Sequence, residues 1–222
     1  MQINRYEDMT IEVMSKPENA GVLTGLALNI TMHTDKDFDA VTKTMCEFLI
    51  NAEHMSVFEH ANYTFLIQSI SRSLLAQITR QRTASITSGS QHYQDYSNYP
   101  VSTAEAMQTE YPSVALSLSA SIEEYKHLLT SNVPREEARQ VLPNASTVNI
   151  LWTLDARNLF YFLRQRMCNR NVLEMRIFAW RLYLILKDDF PALFSHAGPQ
   201  CSCGPCRQGR MQCKAGVVES PI

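Results

Sequence analysis

Arg80-Gln81-Arg82-Thr83-Ala84-Ser85-Ile86-Thr87-Ser88-Gly89-Ser90-Gln91-His92-Tyr93 is the stretch on which the reading of this chain turns. Two arginines, one residue apart, close a run whose apolar residues Ile70, Leu74, Leu75 and Ile78 recur at helical spacing. A segment rich in hydroxyls follows. A guanidinium is a planar fork of donors matched to phosphate oxygens, and loop hydroxyls and N–H groups can complete such a shell. Taken alone, the cluster reads as a solvated helix end followed by a flexible loop, since such clusters are common.

Outward from this stretch, the pattern predicts a helix over 69–81 and a strand over 57–67, with Val57, Ala61, Tyr63, Phe65 and Ile67 on one parity. Upstream, apolar stretches at 9–14 and 22–30 suit strands, and 37–53 suits a helix. Downstream, 83–100 reads as a long polar loop. Helices are predicted over 113–131, from Pro134 to about Pro143, over 155–167 and over 173–186, with a strand over 147–152 and loop after Pro191. The sum is an α+β chain, mostly helical, with a small antiparallel or mixed sheet. One domain is expected over residues 1–195, followed by a Cys-rich tail over 196–222.

The chain has 222 residues, 45% of them hydrophobic and 19% charged, with a formal net charge of −2. That balance argues against a general nucleic-acid binder, which needs a basic face to displace counterions. No apolar run approaches the ~20 residues that span a bilayer. The first fifteen residues lack an apolar signal core. A cytoplasmic protein without membrane attachment is expected. Of six cysteines, Cys46 and Cys168 fall in helical-looking stretches and read as ordinary buried thiols. Cys201, Cys203, Cys206 and Cys213 crowd the tail. Four thiolates can hold zinc, but the spacing is irregular for a zinc ribbon, and no metal is assigned.

Further cations stand in Glu137-Ala138-Arg139-Gln140-Val141-Leu142-Pro143 and on the segment from Asp155 through Arg157, Tyr161, Arg164 and Arg166 to Arg170. Each reads alone as a surface helix with extended Arg stems. His54 and His60 do not share a helical face, and no Walker-type loop, Ser-His-Asp order or GxGxxG run is present.

In register, these pieces resemble the flavin-dependent thymidylate synthase family. Arg80-Gln81-Arg82, seven residues, then Ser90 is similar to that family's R-H-R signature, with Gln81 in place of His. Residues His54 to His60 resemble its H-x-S-V-x-E-H segment. Ala138 to Pro143 match A-R-x-V-L-P, and Glu174-Met175-Arg176 resembles E-I-R. The stretch from Leu151 through Arg157-Asn158-Leu159 and Phe162-Leu163 to Arg166 resembles the helix between them.

The resemblance implies a homotetramer whose active sites form where subunits meet. It implies FAD as cofactor, NADPH and methylenetetrahydrofolate as co-substrates, and dUMP as substrate, methylated at C5 to dTMP. It places His60, Arg80, Gln81, Arg82, Asp155, Tyr161 and Arg170 at flavin positions. It places Gln77, Ser88, Gly89, Ser90, His92, Arg139 and Arg166 at nucleotide positions, with Arg166 against the pyrimidine edge. The chain departs from the family at Thr87, Ser88 and His92, where Asn, Glu and Arg are usual. It departs again at Asp155, Tyr161 and Arg170, where Asn, Asn and His are usual. These departures leave open a 5-hydroxymethylated product, a dCMP substrate, or a relative that binds flavin or nucleotide without catalysis.

Overall fold

The computed structural model describes residues 1–32, 41–202, 204–206, 208–213 and 220–222. Strands are β1 (Ile3–Arg5), β2 (Thr10–Ser15), β3 (Asn62–Ser71), β4 (Ser85–Ser88), β5 (Val101–Thr103) and β6 (Thr147–Asp155). Helices are α1 (Ala20–Met32), α2 (Lys43–Asn51), α3 (Arg72–Ile78), α4 (Glu105–Thr109), α5 (Pro112–Thr130), α6 (Arg135–Ala138), α7 (Ala156–Arg166), α8 (Leu173–Asp189) and α9 (Pro191–Phe194). One sheet has the order β2-β3-β6-β4, and β1 pairs in parallel with β5, Asn4 opposite Ser102. The expected α+β class, mostly helical around a small sheet, is what the chain adopts.

The chain divides into two compact units, one of Met1–Glu12 with Leu66–Trp152, the other of Val13–Phe65 with Thr153–Ile222. In the first, α5 starts at Pro112, whose fixed φ suits a first helical turn, and packs on α4 and α6. Its Tyr125 joins Tyr96 and Ala138 in a core cluster flanked by Tyr99, Leu128 and Val141. In the second, α7 packs on α8 and on the 3-10 segment Met55–His60, and α9 packs on α2 and α8. Its core is aromatic: Phe190 lies 6.4 Å from Phe58 and 6.3 Å from Phe194, and Phe162 meets Phe178 edge-on at 5.9 Å.

The strongest strands obey the period-2 rule. Along β6, Val148, Ile150, Trp152 and Leu154 are buried while Asn149 and Leu151 are exposed. Several expectations are corrected. The run 22–30 is helix α1, not strand. Residues 57–60 form a 3-10 turn ahead of β3. The segment 83–100 is not a featureless loop: β4 lies in it, and Tyr96 is fully buried. The stretch after Pro191 begins with α9, whose Leu193 and Phe194 are core residues. The helix expected from Asp37 starts at Lys43, because Thr42 caps it by accepting from Met45 N at 3.3 Å. Residues 37–40 lie outside the described residues.

Candidate functional site

In the first unit, β3 ends at Ser71, whose side chain accepts from Leu74 N at 2.9 Å and starts α3. This short helix buries Leu74, Leu75 and Ile78 and leaves Gln77 half-buried at its end. A tight turn follows, with Arg80 N donating to Gln77 O at 3.3 Å and Gln81 N to Ile78 O at 3.0 Å. The turn sends Arg80 and Arg82 into solvent, and neither guanidinium has an ion-pair or hydrogen-bond partner among the described residues. Gln81 instead folds locally, its Nε2 donating to Thr83 Oγ1 at 2.9 Å.

Strand β4 then carries the chain through exposed Ser88 to Gly89. The Gly89 N–H donates to Asn149 O at 3.0 Å, and its carbonyl accepts from Arg72 Nη1 at 3.1 Å. A Cβ at this position would stand 2.9 Å from Gln94 Oε1 and 3.3 Å from both Tyr96 OH and Val148 Cγ2. The close approach explains the glycine. Ser90 organises the next turn: its hydroxyl accepts from His92 N at 3.2 Å and its carbonyl from Gln94 N at 2.9 Å. His92 Nδ1 lies 3.9 Å from Glu136 Oε2, and the carbonyl of the same Glu136 accepts from Arg139 Nε at 3.1 Å. His92 and Arg139 thus meet at Glu136 of α6, with Gly89 and Ser90 in the turn that leads to His92. Arg72 and Glu136, which hold this group, were not singled out by the sequence. Neither carries a motif; each acts through a contact distant in the chain.

In the second unit, His60 ends the 3-10 turn with its side chain exposed, and its carbonyl accepts from Asn62 Nδ2 at 3.3 Å. Glu59, beside it, pairs with Arg157 on α7. Asp155 caps α7: Oδ1 accepts from Asn158 N at 2.9 Å and Oδ2 from Asn158 Nδ2 at 2.7 Å. A ligand contact by Asp155 would use its remaining lone pairs. Tyr161 is exposed on the outer face of α7, edge-on to Phe160 at 5.9 Å.

Beyond Tyr161 the cations gather. Arg164, Arg166 and Arg170 line a cavity of ≈ 410 Å³ together with Cys168, Cys201 and Cys206; the remaining described residues on its wall carry side-chain amides. The Arg164 and Arg166 guanidinium carbons sit 5.6 and 6.0 Å from the ring centroids of Phe160 and Phe162. Arg170 Nη1 donates to Gln208 Oε1 at 2.7 Å. Three guanidiniums on one wall make this a place for an anion or an electron-rich heteroaromatic edge. Cys168, expected as an ordinary buried thiol, is half-buried on this wall, because α7 ends before it.

A profile of the family described as thymidylate synthase complementing protein matches residues 11–192. The flavin-dependent thymidylate synthase of Geobacter sulfurreducens is 37% identical over 180 residues, covering 77% of this chain and 76% of that protein. The flavin-dependent thymidylate synthase of Sulfurisphaera tokodaii is 31% identical over 204 residues, covering 87% and 79%. Among solved structures, the UMP/dUMP methylase PolB of Streptomyces cacaoi bound with 5-Br dUMP matches with a TM-score of 0.77 at 20% identity, over 88% of this chain and 96% of that one. That last likeness is one of fold.

Proposed function

The chain belongs to the thymidylate synthase complementing protein family, and from that premise we propose that it is a flavin-dependent thymidylate synthase. It methylates C5 of dUMP to give dTMP, with FAD as cofactor and NADPH and methylenetetrahydrofolate as co-substrates. The observation that carries this reading is the arginine-walled cavity with Arg166 on its wall. A guanidinium there donates to the pyrimidine edge and favours the negative charge that grows on the ring as C5 becomes nucleophilic.

The donor set suits the ligands. Arg80 and Arg82, exposed and without internal partners among the described residues, offer charge-assisted bonds to the phosphates of a flavin dinucleotide. His60, Gln81, Asp155, Tyr161 and Arg170 complete the cofactor set. Gln77, Ser88, Gly89, Ser90, His92 and Arg139 receive the nucleotide. When bound, FAD supplies the hydride chemistry; the protein's share is binding, orientation and field.

Several copies complete the site in this reading, as a homotetramer in the cytoplasm. Helix α1 supports the assembly: it carries no charged residue and exposes Val22, Leu23, Leu26 and Ile30, the last at 69%. Among the described residues no helix is long and apolar enough to cross a membrane. The tail from residue 196 takes part in the site in this reading, since Gln200, Cys201, Cys206 and Gln208 line the cavity.

The test is mass spectrometry of the nucleotide product after incubation with dUMP, methylenetetrahydrofolate, FAD and NADPH. dTMP is expected. His92, a weaker phosphate partner than the arginine usual there, motivates a second arm with dCMP. A hydroxymethyl product, or faster turnover of dCMP, would replace the proposed reaction with a related one. Absence of any flavin spectrum in the reconstituted protein would remove the enzyme reading altogether.

A further inference from the structure

The cavity at the end of α7 holds chemistry that nucleotide methylation does not use. Three thiols line it: Cys168, one residue beyond the C-cap Met167, and Cys201 and Cys206 from the tail. All three are half-buried and free. Cys46 is different: it is fully buried, and burial pushes its thiol up to about 12.

Cys168 is held in a built position. Asn171 N donates to the Cys168 carbonyl at 2.9 Å, and Asn171 Nδ2 donates to that carbonyl at 3.3 Å and to Gln165 O at 2.7 Å. Carbonyls at a helix C-terminus form a negative pole that opposes a thiolate. Here the Asn171 donors take up two of them, and Arg164, Arg166 and Arg170 supply positive charge on the same wall. The Arg170–Gln208 bond fixes the tail at the cavity's other side.

Thiols so placed can bind a soft metal or exchange with a disulfide. Among the described residues, no three Cys, His or acidic side chains stand where they could share one metal ion. Exchange needs less: an accessible thiol in a cationic setting. Burial raises the Cys201 thiol above its ordinary value, which leaves less of it as thiolate.

We propose that Cys168 is a thiol–disulfide exchange site for a small, carboxylate-bearing disulfide that Arg164 and Arg170 dock. Cys168 gives its proton to solvent, and its thiolate attacks one sulfur of the incoming disulfide. A protein–ligand S–S bond forms and the ligand's own S–S bond breaks. The departing half leaves with the electron pair and takes a proton from solvent, so the protein thiol is oxidised and that half is reduced. The cavity volume of ≈ 410 Å³ falls within the about 300–1,000 Å³ of small-molecule pockets. The cavity is the one assigned to the pyrimidine above, so exchange at Cys168 and nucleotide binding would compete for it, while exchange itself needs neither flavin nor folate.

The test uses the full-length protein, treated in parallel with oxidised glutathione and with neutral hydroxyethyl disulfide, and followed by peptide mass mapping over time. The expected adduct is on Cys168, with Cys46 unmodified. The ratio of the glutathione rate to the neutral rate at Cys168 should fall about tenfold in Arg164→Gln, the scale of one charge-assisted contact. Where that variant fails to fold, added salt gives the same reading in the parent chain: it should slow the anionic reagent and spare the neutral one. Three results would overturn the proposal. One is adducts on Cys206 or Cys213 with Cys168 unreacted. Another is a rate ratio indifferent to both Arg164→Gln and salt. The third is stoichiometric zinc in the purified protein with all cavity thiols closed to both reagents.

Discussion

Replacing Asp155 separates a structural role from a ligand role. Its two oxygens accept from Asn158 N at 2.9 Å and Asn158 Nδ2 at 2.7 Å, at the point where α7 begins. Removing an N-cap costs about 0.5–2 kcal/mol, and a carboxylate near a helix N-terminus contributes about 0.3–1 kcal/mol. The same oxygens supply both effects, so they overlap, and Asp155→Ala should cost about 1–2 kcal/mol. Unfolding entropy near 2.1 cal/mol/K per residue amounts to roughly 0.47 kcal/mol/K for this length, which converts the loss to a fall in Tm of about 2–4 °C. Asp155→Asn keeps an acceptor for Asn158 N but loses the charge, so its fall should be about 1–2 °C. The assay is thermal unfolding by circular dichroism of flavin-stripped protein at one fixed concentration, with FAD affinity measured alongside. The expected order of stability is parent, Asn, Ala. An unchanged Tm in Asp155→Ala would refute the capping argument; a simultaneous loss of FAD affinity would assign the residue to the ligand instead.

Arg166→Lys keeps the charge and loses the planar fork; turnover at saturating dUMP should drop roughly ten- to hundredfold with the flavin spectrum unchanged, and near-normal turnover would remove Arg166 from the mechanism. Gly89→Ala forces a methyl against Gln94, Tyr96 and Val148; the exposed Gln94 can swing away, but the buried pair cannot. It should raise the nucleotide KM and cost about 1–3 kcal/mol, read by steady-state kinetics and thermal unfolding. Ser97 donates to Asp95 Oδ1 through its hydroxyl at 2.6 Å and its N–H at 2.8 Å, holding that carboxyl below its ordinary 3.8. A depressed folded value means stabilisation that is present above 3.8 and lost as pH falls through the folded value. In Ser97→Ala, NMR titration should find Asp95 closer to its ordinary value; an unshifted curve would show that the backbone N–H does all the work.

Where one face of an element meets the core, the sequence was readable. The alternation Val148, Ile150, Trp152, Leu154 marks β6, and the helical recurrence of Leu159, Phe162 and Leu163 marks α7. Helix α1 shows why the rule fails elsewhere. Its buried side is made of the small residues Ala20, Gly21, Thr24 and Gly25 with Leu28, while Val22, Leu23, Leu26 and Ile30 face outward. Hydrophobicity then marks the wrong face, and an uncharged run broken only by Thr24 and Asn29 resembles a strand. In 83–100, β4 is built from Ser and Thr with Ile86 alone, and Tyr96 is buried by long-range packing against Tyr125, which no local window contains. Of the candidate site, the cations were legible as motifs. The contacts that hold them were not, because Arg72 to Gly89 and Glu136 to His92 join segments through space.

The two junctions between strand and helix limit how this chain can be re-engineered. Strand β3 ends at Ser71 and α3 starts at Arg72; β6 ends at Asp155 and α7 starts at Ala156. In each, one side chain is both the last rung of a ladder and the first cap of a helix. One inserted residue would turn the following helix by about 100° and reverse the pleat of the preceding strand. That rotation would carry Arg80 and Arg82 in one case, or Arg164 and Arg166 in the other, away from their present directions. Chimeras between this chain and its relatives should therefore be spliced elsewhere. The exposed turn at Ser131–Asn132, where Asn132 has φ 61°, can take up a change of length without altering the phase of either helix.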